Sequence, residues 1–281
     1  GDDAITVVLY GTSSSTAVVN GGEDNDSLTV LGTSSAEQFS VNTLIYRNSL
    51  QSVSFSNFET VKIDGRGGTD TLNAANAADF VINAENAGTL DEILFTDIEN
   101  LVGSSSADTF TFADSGDLEG TINGGAGDDT LTASDNETAF TLSGANSGTI
   151  DGITFISIES LAGGENNDTF TIDGAGSLSG DLTGGSGDDT LNGPNLAMNY
   201  YLTDEGCGYF TGITFYSIEY LTGSTLNDKF HFVATEEDYG TDEIYTIVGS
   251  MPGMLDGGGG SDTVYASDEF MLFTLTGTDS G

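Results

Sequence analysis

Short runs in which apolar and polar residues alternate are the dominant pattern along this chain. The runs TFTF (109–112), TLTA (130–133) and TFTI (169–172) place an apolar residue at every second position. This is the period of a β-strand with one buried face. No stretch shows convincing helical periodicity, and LNAANAADFVI (72–82) comes closest. The alternation predicts inward-facing side chains at Phe110, Leu131, Ile150, Phe170 and Leu191.

The strand-like runs recur with a long period of 60 residues. ILFTDIENLVG (93–103), ITFISIESLAG (153–163) and ITFYSIEYLTG (213–223) fall in one register, and a divergent copy, VSFSNFETV, lies at 53–61. Within this unit, the residues after successive turns lie about 20 residues apart, which suits one coil of a β-solenoid. The pattern predicts an all-β, parallel β-solenoid (a β-helix or β-roll) with three coils per 60-residue repeat.

The coil spacing also predicts the domain organisation. We expect one continuous repeat array over residues 1–281, starting and ending within a repeat, because the final FTLTGTDSG (273–281) matches FTLSGANSG (140–148). The spacing predicts irregular coils near 27–71 and an acidic loop insertion near 234–250.

The charge of the chain restricts its partners. Lys and Arg total 4 against 45 Asp and Glu, a formal net charge of −41, so the folded chain needs cations to offset its self-repulsion. Nucleic acid, anionic membranes and polyanionic substrates would need basic clusters that the sequence lacks. No apolar run reaches the roughly 18 residues of a membrane span. The first residues show neither a start Met nor a signal peptide, so we expect a piece of a larger protein.

Glycine-rich turns carry the candidate chemistry. GGAGDDTLT (124–132), GGSGDDTLN (184–192) and GGGGSDTVY (257–265) match G-G-x-G-x-D-x-U-x in full, where U is aliphatic. GTSSAEQFS (32–40) has Glu37 in place of the aspartate, and calcium is not expected there. The alternative interpretation is that these turns are tight corners in which Asp bonds to nearby backbone amides. Weaker copies are GGENNDTFT (163–171), GSSSADTFT (103–111), GSTLNDKFH (223–231), GRGGTDTLN (65–73) and GGEDNDSLT (21–29).

On these turns the sequence resembles the hemolysin-type RTX family, whose nonapeptides wind into a calcium-binding parallel β-roll. The resemblance implies that Asp side chains and glycine carbonyl groups of adjacent coils hold Ca²⁺, a cation that takes about 6–8 oxygen ligands. The metal-binding residues implied are Asp129, Asp189, Asp262, Asp168, Asp108, Asp70, Asp228, Asp26, Gly124, Gly184, Gly163 and Gly257. The longer phrase I-E-x-L-x-G followed by D-T-F resembles the β-strand repeats of giant bacterial cell-surface, adhesin-like proteins.

The layout of the turns differs from that of tandem nonapeptides. One glycine-rich turn occurs per coil, which predicts calcium along one edge of the solenoid only. Asp168 with Asp189 and Asp108 with Asp129 are the best-paired turns, since each pair is 21 residues apart. Every third turn, such as NSGTI (146–150), lacks the carboxylate and is expected to interrupt the row of ions.

The sequence predicts no enzyme. A lyase acting beside a uronate would need Lys or Arg to neutralise carboxylates, and the four basic residues are scattered. His231, the single histidine, occupies an outward position of the strand FHF (230–232), where a solvent-facing role is expected. Acidic pairs for glycoside hydrolysis are abundant, but nothing singles out one pair.

Two other binding functions have some support in the sequence. NYYLTDEGCGYFTGITFYSIEY (199–220) contains seven aromatic residues that could stack on cell-surface glycans, although packing within the solenoid wall is favoured. Outward pairs such as Thr109 with Thr111 resemble the threonine ladders of ice-binding β-helices, but Asn73 and Asn192 break the array.

We therefore expect a non-enzymatic, calcium-stabilised structural region of a large secreted bacterial protein. It would act as a rod or spacer at the cell surface. The alternative is a protomer that assembles with copies of itself, end to end, into an extracellular filament or surface layer.

Overall fold

The computed structural model of this chain describes residues 1–9, 14–41, 44–238 and 244–265. Every helix or strand in these ranges is a β-strand, which confirms the all-β prediction. Contacts between Cα atoms divide the chain into two compact units. One contains Gly1–Ser134 with Gly152–Ile158, and the other contains Asp135–Asp151 with Glu159–Gly281.

The first unit is built from sixteen strands. They are β1 (Ala4–Val8), β2 (Ser15–Asn20), β3 (Ser27–Leu31), β4 (Gln38–Val41), β5 (Leu44–Arg47), β6 (Gln51–Ser56), β7 (Thr60–Asp64), β8 (Thr71–Ala74), β9 (Asp79–Ala84), β10 (Ala87–Leu90), β11 (Ile93–Thr96), β12 (Asn100–Val102), β13 (Thr109–Phe112), β14 (Thr121–Asn123), β15 (Thr130–Thr132) and β18 (Ile153–Ile156).

These strands form two sheets, and the chain alternates between them. The first sheet has the order β1-β3-β7-β11-β10-β9-β13-β15, and the second has the order β2-β6-β5-β4-β8-β12-β14-β18. Strands of successive coils pair in parallel, for example β13 with β15 and β12 with β14. Parallel pairing between strands that belong to successive coils defines a β-solenoid, so the predicted fold class is confirmed.

Each 60-residue repeat contains a three-stranded antiparallel meander in place of a simple strand. In the first unit, β10 pairs antiparallel with both β9 and β11, while β9 and β11 pair in parallel with neighbouring coils. The reversals occur at Asn86 and Asp91, both with φ of 51°, a left-handed conformation that Asn and Asp tolerate. The stretch around Thr89 is therefore the middle of a meander and does not form a coil of its own.

The second unit contains fifteen strands. They are β16 (Ala139–Gly144), β17 (Ser147–Ile150), β19 (Ser160–Ala162), β20 (Thr169–Ile172), β21 (Asp181–Thr183), β22 (Thr190–Asn192), β23 (Asn199–Asp204), β24 (Cys207–Phe210), β25 (Ile213–Tyr216), β26 (Tyr220–Thr222), β27 (Lys229–Phe232), β28 (Ala234–Asp238), β29 (Ile244–Val248), β30 (Leu255–Asp256) and β31 (Thr263–Tyr265).

The second unit repeats the architecture of the first. One of its sheets has the order β19-β21-β25-β24-β23-β27-β31, and the other has the order β17-β16-β20-β22-β26-β30. Strand β24 pairs antiparallel with β23 and β25, as the middle strand of a meander. The sequence predicts a coil corner at NSGTI (146–150), but residues 147–150 form β17, which pairs antiparallel with β16.

An antiparallel hairpin of β28 and β29 occupies the stretch where the sequence predicts an acidic insertion. Residues 239–243 of that prediction, and the final 273–281, lie outside the described residues. The prediction of one continuous array over 1–281 stays a prediction. No helix long and apolar enough to cross a membrane occurs in the described part of the chain.

The core is a column of stacked side chains between the sheets. Phe110, Leu131, Ile150, Phe170 and Leu191 are buried, as the alternation predicts. Aromatic rings of successive coils stack face to face: Phe80 on Phe110 at 4.7 Å, Phe140 on Phe170 at 4.8 Å and Tyr200 on Phe230 at 4.9 Å between ring centroids. Each coil therefore contributes the same inward layer, which fixes the register between coils.

Tyr200 differs from its counterparts by a hydroxyl group. This oxygen is buried and has no hydrogen-bond partner among the described residues, and a Cβ added at Gly193 would collide with it. One repeat earlier, the corresponding residues are Phe140 and Ala133. The glycine thus makes room for the extra oxygen of Tyr200.

We expect Gly193→Ala to lower the free energy of unfolding by about 1–3 kcal/mol, because the added methyl overpacks the core. Tyr200→Phe removes an unsatisfied buried hydroxyl and should be neutral or slightly stabilising. The variant with both substitutions should recover most of the free energy of unfolding that Gly193→Ala loses. Urea unfolding of the four proteins measures this coupling, and additive effects would contradict the assignment.

Candidate metal centres at the solenoid corners

The glycine-rich turns are the corners at which the chain passes from one sheet to the other. The corner 124–129 joins β14 to β15, and the corner 184–189 joins β21 to β22. The aspartate ending each corner points inward, and its side chain is almost wholly buried except at Asp262, which is exposed. The buried set is Asp26, Asp70, Asp108, Asp129, Asp168, Asp189 and Asp228, each 0–2% exposed. Buried carboxylates are rare unless they are paired or coordinate a metal.

Corner carboxylates of successive coils are linked through the backbone. The backbone N–H of Asp108 donates to Oδ1 of Asp129 at 2.8 Å, and that of Asp168 donates to Oδ1 of Asp189 at 2.8 Å. The structure thus places the two sequence-selected pairs in adjacent coils. The N–H of Asp228 donates to Oδ1 of Asp262 in the same way, at 2.8 Å.

The corners lie on both edges of the solenoid, so the expectation of a single calcium-lined edge is wrong. In the first unit, the corner of Asp70 leads from the first sheet to the second, whereas those of Asp108 and Asp129 lead back. In the second unit, the corners of Asp189 and Asp262 likewise lie on opposite edges. The physical reason is the number of times that a repeat changes sheet. A meander stays within one sheet, so the stretch from β4 to β8 occupies the second, the first and again the second sheet, and the next meander, β9 to β11, begins in the first sheet.

The corners fall into two conformational kinds. In the first kind, which we name self-bonded corners, the N–H of the second residue donates to Oδ2 of the corner's own aspartate. Ser104 donates to Asp108 at 2.6 Å, and Gly164 donates to Asp168 at 2.7 Å. Ser224 donates to Asp228 in the same way, at 2.7 Å. In these corners both carboxylate oxygens have backbone partners.

In the second kind, which we name open corners, the second and fourth residues have positive φ. At 184–189 these are Gly185, with φ of 106°, and Gly187, with φ of 133°. Glycine adopts this conformation without strain, whereas a residue with a Cβ does not. Oδ2 of Asp189 is buried and has no hydrogen-bond partner within the described structure, and the same holds for Asp26 and Asp70. An orphaned, buried carboxylate oxygen is costly, so it indicates a missing cationic partner.

Oxygen atoms converge beside the first glycine of each corner. A Cβ built on Gly184 would collide with the carbonyl oxygen of Ser217 and lie 2.5 Å from Oδ2 of Asp189. Gly124 stands in the same relation to Ser157 and Asp129, and Gly163 stands beside Oδ2 of Asp168 and the carbonyl oxygen of Gly184. The first glycine is therefore required because oxygens occupy the space that a side chain would fill. Such carbonyl and carboxylate oxygens are the ligands that Ca²⁺ prefers.

Within the described ranges, no group of three or more His, Cys, Asp or Glu side chains is placed to hold a metal ion. A cation at these corners must therefore take most of its ligands from the backbone. The donor set of one or two carboxylates with several carbonyl groups fits a hard cation such as Ca²⁺ and does not suit metals that prefer thiolate or imidazole.

A set of glutamates that the sequence analysis did not identify as site residues also contacts the corners. Oε2 of Glu219 accepts the backbone N–H of Asp189 at 2.8 Å, and Glu99 and Glu59 accept those of Asp70 and Asp26 at 2.7 and 2.6 Å. These glutamates belong to the recurring I-E phrase or its divergent copy, which the sequence marked as a repeat without suggesting a role. The recurrence of glutamate at the same position of each repeat could have indicated this role.

Burial raises the pKa of aspartates at the open corners. It raises the pKa of Asp189 to about 6, and the nearby charges of Asp168 and Glu219 add to the increase. Burial likewise raises the pKa of Asp70 to about 6. Each raised pKa means that the folded, metal-free corner disfavours the ionised carboxylate.

The aromatic segment 199–220 supplies both core and wall. Tyr200, Phe210 and Phe215 are buried, while Tyr201 stacks on Tyr209 and on His231 along the outer face, with centroid distances of 4.9 and 4.7 Å. His231 also stacks on Tyr265, at 4.5 Å. The faces of Tyr201 and His231 are thus covered by neighbouring rings, which favours the wall-packing interpretation over sugar stacking.

The fold is a β-solenoid. At its corners, buried carboxylates lie near backbone carbonyl groups, and both are oxygen ligands of the kind that calcium prefers. A family model supports this class: the RTX calcium-binding nonapeptide repeat matches in four copies, over residues 115–146, 175–193 and 254–268. The chain therefore carries RTX calcium-binding repeats, and the resemblance seen in its turns is confirmed. These repeats form a calcium-binding structural β-roll. No curated protein and no solved structure matches the chain.

The raised pKa values predict that the metal-free protein loses stability as pH rises. Asp189 has a folded pKa of about 6 against an ordinary 3.8, so its protonated form stabilises the fold fully below about pH 4, and this contribution disappears as pH rises through about 6. Asp189→Asn should remove part of the slope between pH 4 and 7. Urea midpoints in calcium-free buffer measure it. Asp188→Asn, at an exposed neighbour, is the matched control and should keep most of the slope, because its charge is the smallest of the causes that raise the pKa of Asp189; equal slopes in the two variants would contradict the prediction.

Proposed function

We propose that this chain is a calcium-stabilised structural region of a large secreted bacterial surface protein, in which it acts as a rod or spacer. One observation carries the proposal: at the open corners, the buried Oδ2 atoms of Asp26, Asp70 and Asp189 have no hydrogen-bond partner in the described structure. Calcium bound there would neutralise buried carboxylates and join consecutive coils.

We assign the principal ligands to the corners that match the nonapeptide in full. These are Asp129, Asp189 and Asp262, with carbonyl groups of Gly124, Gly184 and Gly257. Asp26 and Asp70 have the same open conformation and belong with them. At the self-bonded corners, Asp108, Asp168, Asp228 and Gly163 are assigned as secondary ligands. There Oδ2 already accepts one backbone N–H, and a carboxylate oxygen has a further lone pair for a cation.

The charge of the chain supports a cation-dependent scaffold. With a formal net charge of −41, consecutive coils bring acidic side chains into repeated proximity, and divalent ions are the simplest means of offsetting the repulsion. Extracellular calcium sites work at dissociation constants of about 10⁻⁴–10⁻³ M. A fold that needs such calcium would be stable outside the cell, which supports the assignment to a secreted protein.

A structural role is also supported by where the basic residues lie. Arg47 is buried in an ion pair with Glu37, and Lys62 lies 3.7 Å from Asp64. His231 stacks between two tyrosine rings. These groups are engaged in packing and pairing within the solenoid, so we propose no catalytic role for them.

Calcium should raise the melting temperature of the wild-type chain in a concentration-dependent way, since a ligand that binds only the folded state stabilises it by mass action. Asp189→Asn removes the orphaned oxygen and should reduce both the calcium-induced shift and the number of ions bound. Asp168→Asn should reduce them less. Differential scanning calorimetry and isothermal titration calorimetry measure the two quantities.

Asp188→Asn provides the control, because it makes the same change in charge at an exposed position next to Asp189. It should retain the wild-type calcium response. Equal losses in Asp188→Asn and Asp189→Asn would show that calcium acts only by screening net charge, and would contradict the assigned ligands.

A further inference from the structure

One corner of the first unit contains a buried positive charge. Arg47, in the meander strand β5, is 8% exposed. Its Nη2 donates to Oε1 of Glu37 at 2.7 Å, and its Nη1 donates to Oε1 of Gln51 at 3.0 Å. The side chain of Glu37 is fully buried. A buried ion pair is costly to desolvate, so its presence requires a local reason.

Glu37 occupies the corner at the place of an aspartate. Its Oε2 accepts the N–H of Thr33 at 2.9 Å, as Asp108 accepts that of Ser104. Its own N–H donates to Oδ1 of Asp70 at 2.6 Å, as that of Asp108 donates to Asp129. Glu37 and Asp70 therefore form a carboxylate pair between adjacent coils, equivalent to the other pairs.

This pair differs from the others because the meander begins directly after it. Strand β4 starts at the residue after Glu37, whereas the meander strands β9, β16 and β23 follow Ala78, Thr138 and Met198. The carboxylate of Glu37 is thus covered by the middle strand of its own meander.

The inward position at the end of that middle strand holds an unusual residue. It is apolar in the other three meanders, where Leu90, Ile150 and Phe210 occupy it. In the first meander it is Arg47, and the burial pattern of the strand is the same as in β10 and β17. A charged residue therefore stands at a core position only where a buried carboxylate lies against it.

We infer that the guanidinium group of Arg47 takes the place of a bound cation at the carboxylate of Glu37, so that the corner 32–37 closes without metal. The pair Asp168–Asp189 has the same backbone links, and within the described residues neither of these aspartates forms an ion pair with Lys or Arg. The calcium part of the inference rests on the proposed function; the neutralising role of Arg47 does not.

The acidity of Glu37 agrees with this role. Burial alone would raise its pKa, but the hydrogen bonds from Arg47 and Thr33 outweigh burial and hold the pKa below its ordinary value. Asp189, without such a cation, has a raised pKa. Arg47 also lowers the pKa of Asp70 by its charge, although burial remains the larger effect there.

The test replaces Arg47 by the residue found in another meander. Arg47→Leu should lower the melting temperature in calcium-free buffer by roughly 10 °C, because it leaves a buried carboxylate unpaired. Calcium should then occupy the vacated corner, so the calcium-induced rise in melting temperature should be larger than in the wild type, with one more ion bound in isothermal titration calorimetry. Arg47→Gln, in which the new side chain is uncharged and polar, should behave in the same way. It provides the same test if the leucine variant does not fold.

Lys62→Met is the matched control, since it removes one positive charge from a side chain on the outer face of β7, a strand of the other sheet in the same unit. Its melting temperature and ion count should stay near those of the wild type. If Arg47→Leu and Arg47→Gln match Lys62→Met in calcium-free buffer, Arg47 has no neutralising role. If they lose stability but gain no calcium response while the wild type responds, the corner is not a cation site. A wild type without any calcium response would overturn the proposed function alone.

Discussion

The structure depends on one interaction, the acceptance of a backbone N–H from the preceding coil by a buried corner carboxylate. This bond links Asp168 to Asp189 and Asp108 to Asp129, and it aligns each corner with the next. Its cost is the burial of a charge in a chain that already carries an excess of them. The first glycine of such a corner follows from this arrangement, because oxygen atoms occupy the space beside Gly184 and Gly124.

The chain satisfies its buried carboxylates in three ways. Self-bonded corners turn a local backbone N–H toward Oδ2, as Gly164 does for Asp168. Open corners leave Oδ2 of Asp189 for a cation, while the corner of Glu37 receives a guanidinium group from its own chain. Under the proposed function, only the open corners require a cation from outside the chain, and the stability of each repeat would then depend on calcium to a different extent. The three ways use the same corner geometry with small changes in sequence.

Much of the fold could be predicted because the alternation of apolar residues is a local property. Phe110 and Phe170 could be placed in the core from period two alone, and the spacing of 21 residues was enough to pair Asp168 with Asp189. The meanders could not be predicted in this way. Strand β10 has the same alternating burial as strand β8, and the pattern does not reveal whether a strand pairs with its chain neighbour or with the next coil.

The sequence by itself determined the strand content, the coil spacing and the match of three corners to the RTX nonapeptide, because these depend on residue types at fixed separations. Only the tertiary structure decided on which edge each corner lies, since that depends on how many times a repeat changes from one sheet to the other. It also decided the roles of Glu219 and Arg47. Both are ordinary charged residues in the sequence, and they acquire a function only when folding brings them to a buried carboxylate or to its backbone N–H.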